Sequence, residues 1–267
     1  MTSLTFIWHD CFLLRTERLA VVFDYWKDGR RRASVDDAPA FLDTIPPDVP
    51  LYVLVSHHHK DHFHKSIFAW ERRHPLIRFI ISRDTERSVR YMLRPDSVYA
   101  GFKPSPEKVS VLRPGEEWSD ALVKVSAFGS TDTGNSYLLT LADGKRVFHA
   151  GDLNAWTWRD ESTQAEVDEA VGAYRSILAT IAEAAPHIDI AMFPVDSRIG
   201  TGYAEGAAMF VRAIEVDRFF PMHFCLADSE EQLTARMADA CRLDLYANPE
   251  RGEYIALQQP YSVFAKA

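Results

Sequence analysis

Between Val53 and His64 the chain reads VLVSHHHKDHFH, which places five of its ten histidines within eight residues. Neutral imidazole is a common transition-metal donor, and a metal needs three or four N, O or S atoms converging on one point. If the backbone stays extended past the apolar run, His57 and His59 project to the same side and His58 to the other. His57 and His59 then suit one metal. Asp61 and His62 follow after a turn that can aim them at a second point a few ångströms away, so the string forms one half of a two-metal site. His58 and His64 do not share this direction and read as bystanders.

The elements around the cluster explain how it would be positioned. The opening quarter contains short apolar or β-branched runs at Leu4–Trp8, Cys11–Thr16 and Leu19–Phe23, separated by polar pairs, which reads as a meander of antiparallel strands. A helical turn follows near Ala38–Thr44. LYVLVS at 51–56 is a continuous apolar run of the kind found in fully buried strands, and the histidines begin where it stops. A helix is expected over Ser66–Arg73, a strand over Ile77–Ser82, a helix near Asp84–Met92, and a loop over Pro95–Pro106.

Strand character returns from Lys108 in VSVL, ALVKVSAF, SYLLTL and RVFHA, with Ala142–Lys145 turning the last two into a hairpin. A second sheet is implied. The longest helix spans Ser162–Ala185, where Thr163 and Glu166 have capping-box spacing and apolar residues recur at helical intervals. A strand at Ile188–Pro194, a helix near Ala204–Val216, a short strand at Phe219–Met222 and a helix near Ser229–Cys241 complete the pattern. No repeat or low-complexity linker divides the chain, so residues 1–267 are expected to form one domain with two related halves.

The H-x-H-x-D-H string after an apolar strand resembles the signature of the metallo-β-lactamase-fold hydrolases. Asp24 in VVFDYW is similar to that family's early aspartate, which supports the ligand loop from behind. Asp152 in VFHAGDLN resembles the family's metal-bridging aspartate, and His223 in FFPMHF its last histidine ligand. The resemblance implies an α/β fold: a four-layer αββα sandwich with two mixed β-sheets flanked by helices. It further implies His57, His59, Asp61, His62, Asp152 and His223 as metal ligands. Asp61 would also orient the attacking water. One or two divalent transition-metal ions are expected, zinc first, with manganese or iron as alternatives.

One family element is absent. A third histidine for the first metal normally precedes a strand like SYLLTL, yet Ala127–Leu139 reads AFGSTDTGNSYLL and holds none. Asp132 or His149 could take its place. The leading expectation is an unreplaced position, with the first site open to water or holding metal weakly.

Other residues carry less. Trp156 and Trp158 either wall the site or pin a loop. Arg198 could bind an anion, although a surface salt bridge is the preferred reading, and His9 reads as an ordinary hydrogen-bonded histidine that could border the site. Cys11, Cys225 and Cys241 are odd in number and lack a CxxC pattern, which points to reduced, structural thiols. No G-x-S-x-G elbow, P-loop or dinucleotide fingerprint occurs.

Hydrophobic residues make up 47% of the chain and charged residues 25%, the profile of an ordinary folded protein. The net charge of −8, with no basic block larger than GRRR at 29–32, gives no phosphate-backbone footprint. No nucleic-acid partner and no membrane association is expected. A cytoplasmic location and a small-molecule substrate are.

Within the resemblance, FHAGD and PMHF look closest to the branch containing the ascorbate-phosphate lactonases, which implies hydrolysis of a lactone, ester or phosphoester. Two rivals remain. One is an iron-dependent oxidoreductase or dioxygenase on the same scaffold. The other is a non-catalytic metal-binding member with a degenerate first site.

Overall fold

A computed structural model describes residues 2–26, 38–94, 96–98, 103–247 and 263–265. The GRRR block and parts of the 95–106 segment therefore lie outside the described residues.

The opening apolar runs form the expected meander: β1 (Ser3–Trp8), β2 (Cys11–Arg15) and β3 (Ala20–Phe23) pair antiparallel in sequence. Trp8 pairs with Cys11, which leaves His9 and Asp10 as a two-residue turn. Parallel pairing then adds β4 (Leu51–Val55), β5 (Ile77–Ser82) and β6 (Val109–Leu112). A short strand β13 (Val263–Ala265) joins the free side of β1. Among the described residues this sheet has the order β13-β1-β2-β3-β4-β5-β6.

The second sheet runs β12-β11-β10-β9-β8-β7, from β7 (Glu117–Ser119), β8 (Val123–Phe128), β9 (Ser136–Leu141), β10 (Arg146–His149), β11 (His187–Pro194) and β12 (Glu215–Met222). Its first four strands in sequence pair antiparallel and its last three parallel, so both sheets are mixed. This is the expected αββα architecture.

Strand alternation separates the layers. Leu4, Phe6, Phe12, Leu14, Val21, Phe23, Tyr52 and Leu54 face the second sheet and share one core with its inner residues. Their neighbours Leu13, Val22, Leu51, Val53 and Val55 face the opposite way, onto a second core with Phe68, Trp70, Val89 and Met92. Those last residues come from a 3-10 helix at Lys65–Arg72 and from α1 (Arg83–Leu93). On the far side, α2 (Gln164–Ala184) and α3 (Glu205–Ala213) cover the second sheet, with Tyr174 against Phe193 and Phe210 against Phe148.

Three expectations are adjusted. The Ser66–Arg73 segment forms the 3-10 helix rather than an α-helix. The Ala204–Val216 helix ends at Ala213 because the β-branched Ile214 and Val216 extend into β12, which starts at Glu215 rather than Phe219. The strands β7 and β13, each three residues long, lacked a legible pattern. Thr163 and Glu166 do close the capping box, and α4 (Glu230–Ala240) starts at the Ser229 cap. Among the described residues no helix is long and apolar enough to cross a membrane.

Candidate metal centre

The functional side chains gather where strand ends from both sheets meet. Ser56 and His57 leave β4, Asp24 leaves β3, Asp152 follows β10, Asp196 follows β11 and His223 follows β12. Asp24 and His223 adopt positive φ of 42° and 68°, and His9 in the β1–β2 turn has 57°. Non-glycine residues rarely take this backbone, and several together mark a place where the fold fixes side-chain direction at the expense of local strain.

Asp24 organises the histidine loop. Its Oδ1 accepts the Ser56 backbone N–H at 2.7 Å, and its Oδ2 accepts the Ser56 hydroxyl at 2.5 Å and His62 Nδ1–H at 2.9 Å. Because the Ser56 hydroxyl donates to Asp24, its oxygen accepts His57 Nδ1–H at 2.9 Å. Both rings thus carry a proton on Nδ1 and turn Nε2 into the site. His223 follows the same logic from the opposite sheet, its Nδ1 facing Asp196 Oδ2 at 2.9 Å. Arg198 in turn forks onto both oxygens of Asp196, from Nε at 2.9 and 2.8 Å and from Nη2 at 2.5 Å.

These Nε2 atoms converge on Asp152. His57 Nε2 lies 3.2 Å from Oδ2, while His62 Nε2 and His223 Nε2 lie 3.0 and 3.2 Å from Oδ1. One carboxylate oxygen therefore faces each half of the site. Two sets of candidate donors result, His57, His59, Asp132 and Asp152 in one and His9, Asp61, His62 and His223 in the other. Within each set the donor atoms lie within 4.8 Å of one another.

All six residues expected from the sequence are brought together, and the vacancy left by the absent histidine is met by a carboxylate. Asp132 Oδ2 sits 3.5 Å from His59 Nδ1. Its loop reaches that place because Gly134, at φ 72°, rides against the backbone carbonyl of Ser56 and the Cβ of His57, where a side chain would collide. The Asn135 N–H, bonded to that carbonyl at 2.9 Å, locks the approach. His149 does not reach in. Its Nδ1 accepts the Gly151 N–H, its Nε2–H donates to the Asp10 carbonyl at 2.8 Å, and its ring stacks on Phe23.

His58 and His64 are turned elsewhere. His58 Nδ1 meets Asp84 Oδ2 at 2.8 Å, and His64 caps the 3-10 helix through Ser66. The Trp156 indole donates to the Asp152 carbonyl at 2.8 Å while its ring lies 5.4 Å from His223, so it both pins the loop and walls the site. Asp61, Thr131, Asp132, Asp152, Trp156, Trp158, Arg198 and His223 line a cleft of about 390 Å³. Arg198, expected as a surface salt bridge, instead holds the carboxylate that orients His223. Cys225 is buried, and burial pushes its thiol up, in keeping with a structural role.

Two residues carry more than their sequence context suggested. Asp196 was one polar residue of a loop, and the signal that could have found it is the need of a ligand-type histidine for an acceptor on its second nitrogen. Asp10 is fully buried with both carboxylate oxygens unpartnered, 3.3 Å from His62 Nε2 and from His9 Nε2. Burial, helped by the neighbouring carboxylates of Asp152 and Asp24 and opposed by His62 and His223, pushes its carboxyl up to about 8.

The remaining charges follow from the same crowding. Burial opposes ionisation of Asp152, but attraction to His62 and His223 and the close approach of the His223 and His57 rings hold it well below the usual range. His223 rises to about 10: burial works against its charge, and the carboxylates of Asp152, Asp10 and Asp196 outweigh it. His62 is raised likewise against burial by Asp152, Asp10 and Asp24.

The donors fit a divalent cation. His57 Nε2, His62 Nε2 and Asp152 Oδ1 are buried atoms with no hydrogen-bond partner, although they face one another. Leaving such groups unpaired costs on the order of 1–3 kcal/mol each, and more for charged ones. A cation on each side of Asp152 would satisfy them, one reached by His57 and the other by His62 and Oδ1. Nitrogen and carboxylate donors in this mixture suit zinc, iron or manganese.

A two-sheet αββα scaffold with histidines and aspartates gathered at its strand ends places this chain among folds that carry a metal-binding centre at that junction. The family described as the beta-lactamase superfamily domain matches residues 21–224, and the chain belongs to that family. Among solved structures it is similar to Igni18, a metallo hydrolase from the archaeon Ignicoccus hospitalis, at 16% identity and TM-score 0.57, over 98% of this chain and 97% of that one. It is also similar to the metallo-beta-lactamase fold protein YhfI from Bacillus subtilis, at 10% identity and TM-score 0.58, over 98% of both chains. The diiron beta-hydroxylase CmlA from Streptomyces venezuelae matches at 15% identity and TM-score 0.61, over 96% of this chain and 53% of its own. At these identities the likeness is one of fold. No curated protein matches the sequence significantly.

Proposed function

We propose that this protein is a metal-dependent hydrolase of a small lactone, ester or phosphoester, acting as a single domain in the cytoplasm. His57, His59, Asp132 and Asp152 would hold one divalent ion, and Asp61, His62, Asp152 and His223 a second. The observation that carries this reading is the convergence of the orphaned Nε2 atoms of His57 and His62 on the two oxygens of Asp152. Zinc is the first choice of metal.

When bound, such ions lower the pKa of a coordinated water toward neutrality and polarise the oxygen of the group under attack. The protein supplies the rest. Asp152 spans both halves with one oxygen each. Burial works against ionisation of Asp61, but the proximity of the His9 ring, 3.7 Å away, and the attraction of His62 outweigh it and keep the carboxyl ionised. Its carboxylate borders the open cleft, where it can orient a water and accept its proton. Trp156 and Trp158 give the cleft an aromatic wall against which the non-reacting part of a substrate would pack. The net charge of −8 favours a small molecule over nucleic acid. The FHAGD and PMHF stretches support a lactone phosphate or related ester as the first substrates to try.

A second reading, an iron-dependent oxidoreductase or dioxygenase, is favoured by one observation. Asp132 makes the first set two histidines and two carboxylates, an oxygen-rich mixture congenial to iron. The similarity in fold to a protein named as a diiron beta-hydroxylase is in keeping with it.

Metal counting on protein purified without added metal, joined to turnover of a lactone, ester and phosphodiester panel, tests these readings. Zinc or manganese with chelator-sensitive hydrolysis supports the first, and redox-active iron with dioxygen consumption the second. Bound metal with neither activity would leave a non-catalytic metal-binding protein.

A further inference from the structure

His9 falls geometrically among the candidate donors of the second ion. Its hydrogen bonds say otherwise. The Cys225 backbone N–H points at His9 Nδ1 at 3.0 Å, and a backbone donor requires a lone pair on that nitrogen. The ring proton must then sit on Nε2. A metal at Nε2 would require removing that proton as well, leaving an imidazolate. His57, His62 and His223 have the opposite arrangement, with Nδ1 facing an acceptor and Nε2 turned toward Asp152.

Flipping the ring would take Nδ1 away from the Cys225 N–H and leave that buried donor unpaired. The His9 backbone N–H donates to Cys225 Sγ at 3.3 Å, the His9 carbonyl accepts the His223 N–H at 3.2 Å, and the ring lies 4.5 Å from that of His223. It is wholly buried, and its Nε2 has no hydrogen-bond partner. The nearest acceptors are Asp10 Oδ2 at 3.3 Å and Asp61 Oδ2 at 3.7 Å.

Accordingly we infer that His9 is a positioning residue, a fixed Nε2–H donor that holds the carboxylates of Asp10 and Asp61 beside the second ion rather than a ligand of that ion. The inference rests on the metal-centre reading for the role of those neighbours. It gives the β1–β2 turn a part in the site, where His9 takes a positive φ and places its ring 4.5 Å from that of His223.

Proton–nitrogen NMR of the imidazole rings, before and after loading with spin-active cadmium, tests this directly, with His9→Met identifying the His9 signals. The expected result is a protonated Nε2 and a bare Nδ1 on His9 in both states, with cadmium–nitrogen coupling at His57, His62 and His223 but none at His9. Coupling to His9 Nε2, or a proton on its Nδ1, overturns the inference. If no histidine responds to cadmium, the metal-centre reading fails, while the tautomer of His9 in the metal-free protein still decides whether it is a donor.

The positioning role has its own readout. His9→Met is expected to weaken the second cadmium ion by roughly 10–100-fold, the usual effect of removing an outer hydrogen-bond partner. His9→Gln, whose amide can donate from the Nε2 position, should restore most of that affinity. Unchanged cadmium affinity in a folded His9→Met variant would refute the role.

Discussion

At the residue scale the centre is a set of imidazole tautomers fixed from behind. Asp24 and Asp196 each accept an Nδ1–H and so turn an Nε2 into the site, and Ser56 relays the effect of Asp24 to His57. Replacing Asp24 by Asn turns the oxygen that accepts the Ser56 hydroxyl and His62 Nδ1–H into a donor, so metal affinity should fall on the order of 10–100-fold. Competition with a chromogenic chelator measures it. Asp132 offers a sharper case. Asp132→Ala should take metal content, counted by mass spectrometry after dialysis, from two ions toward one, whereas Asp132→His should retain both by restoring the family's donor. Full occupancy in the alanine variant would mean that His57, His59 and Asp152 suffice. His57, His59, Asp61 and His62 were legible because strand alternation and the H-x-H-x-D-H spacing constrain them locally, and Asp152 and His223 because FHAGD and PMHF resemble the family's later motifs. Asp132 was legible only as an alternative, since its approach depends on contact with the end of β4, nearly eighty positions away in sequence. Asp196 and Asp10 were not legible, because their partners lie on other strands.

At the element scale, strand ends supply the donors and two tight backbone approaches bring them together. Gly134 and Gly151 both pack on Ser56 with positive φ of 72° and 53°, and an added Cβ would strike backbone or side-chain atoms there. Gly134→Ala is therefore expected to cost ~1–3 kcal/mol through strain alone. It should also displace the Asp132 loop. Thermal melts with and without zinc separate the two effects: strain lowers both melting temperatures, while loss of the Asp132 donor shrinks the gap between them. An equal gap in the variant would show that the loop tolerates the shift. The long elements β4, β5 and α2 were legible from continuous apolar runs and a capping box. The edge strands β7 and β13 were not, since three residues half in solvent carry no alternation.

At the scale of the whole molecule, the centre sits between two packed sheets, and its charges are therefore coupled to folding. Without metal, His223 has its pKa raised from 6.5 to about 10. A raised folded-state pKa means that the folded protein holds a proton the unfolded chain gives up more readily. That stabilisation is complete below 6.5 and is lost as pH climbs toward 10. Asp10, raised from 3.8 to about 8, acts in the same direction over a lower window. With metal bound, His62 and His223 serve as neutral ligands and this dependence disappears. Metal uptake should thus release a proton from each of these two histidines, and affinity should increase with pH. Calorimetry in buffers of different ionisation enthalpy counts the protons. The difference in melting temperature between zinc-loaded and chelated protein should widen steadily from pH 6.5 to 9, because the chelated form weakens while the loaded form does not. A constant or narrowing difference would mean that the histidines are already neutral in the metal-free protein, and that Asp152 lacks the cationic partners that burial at this junction demands.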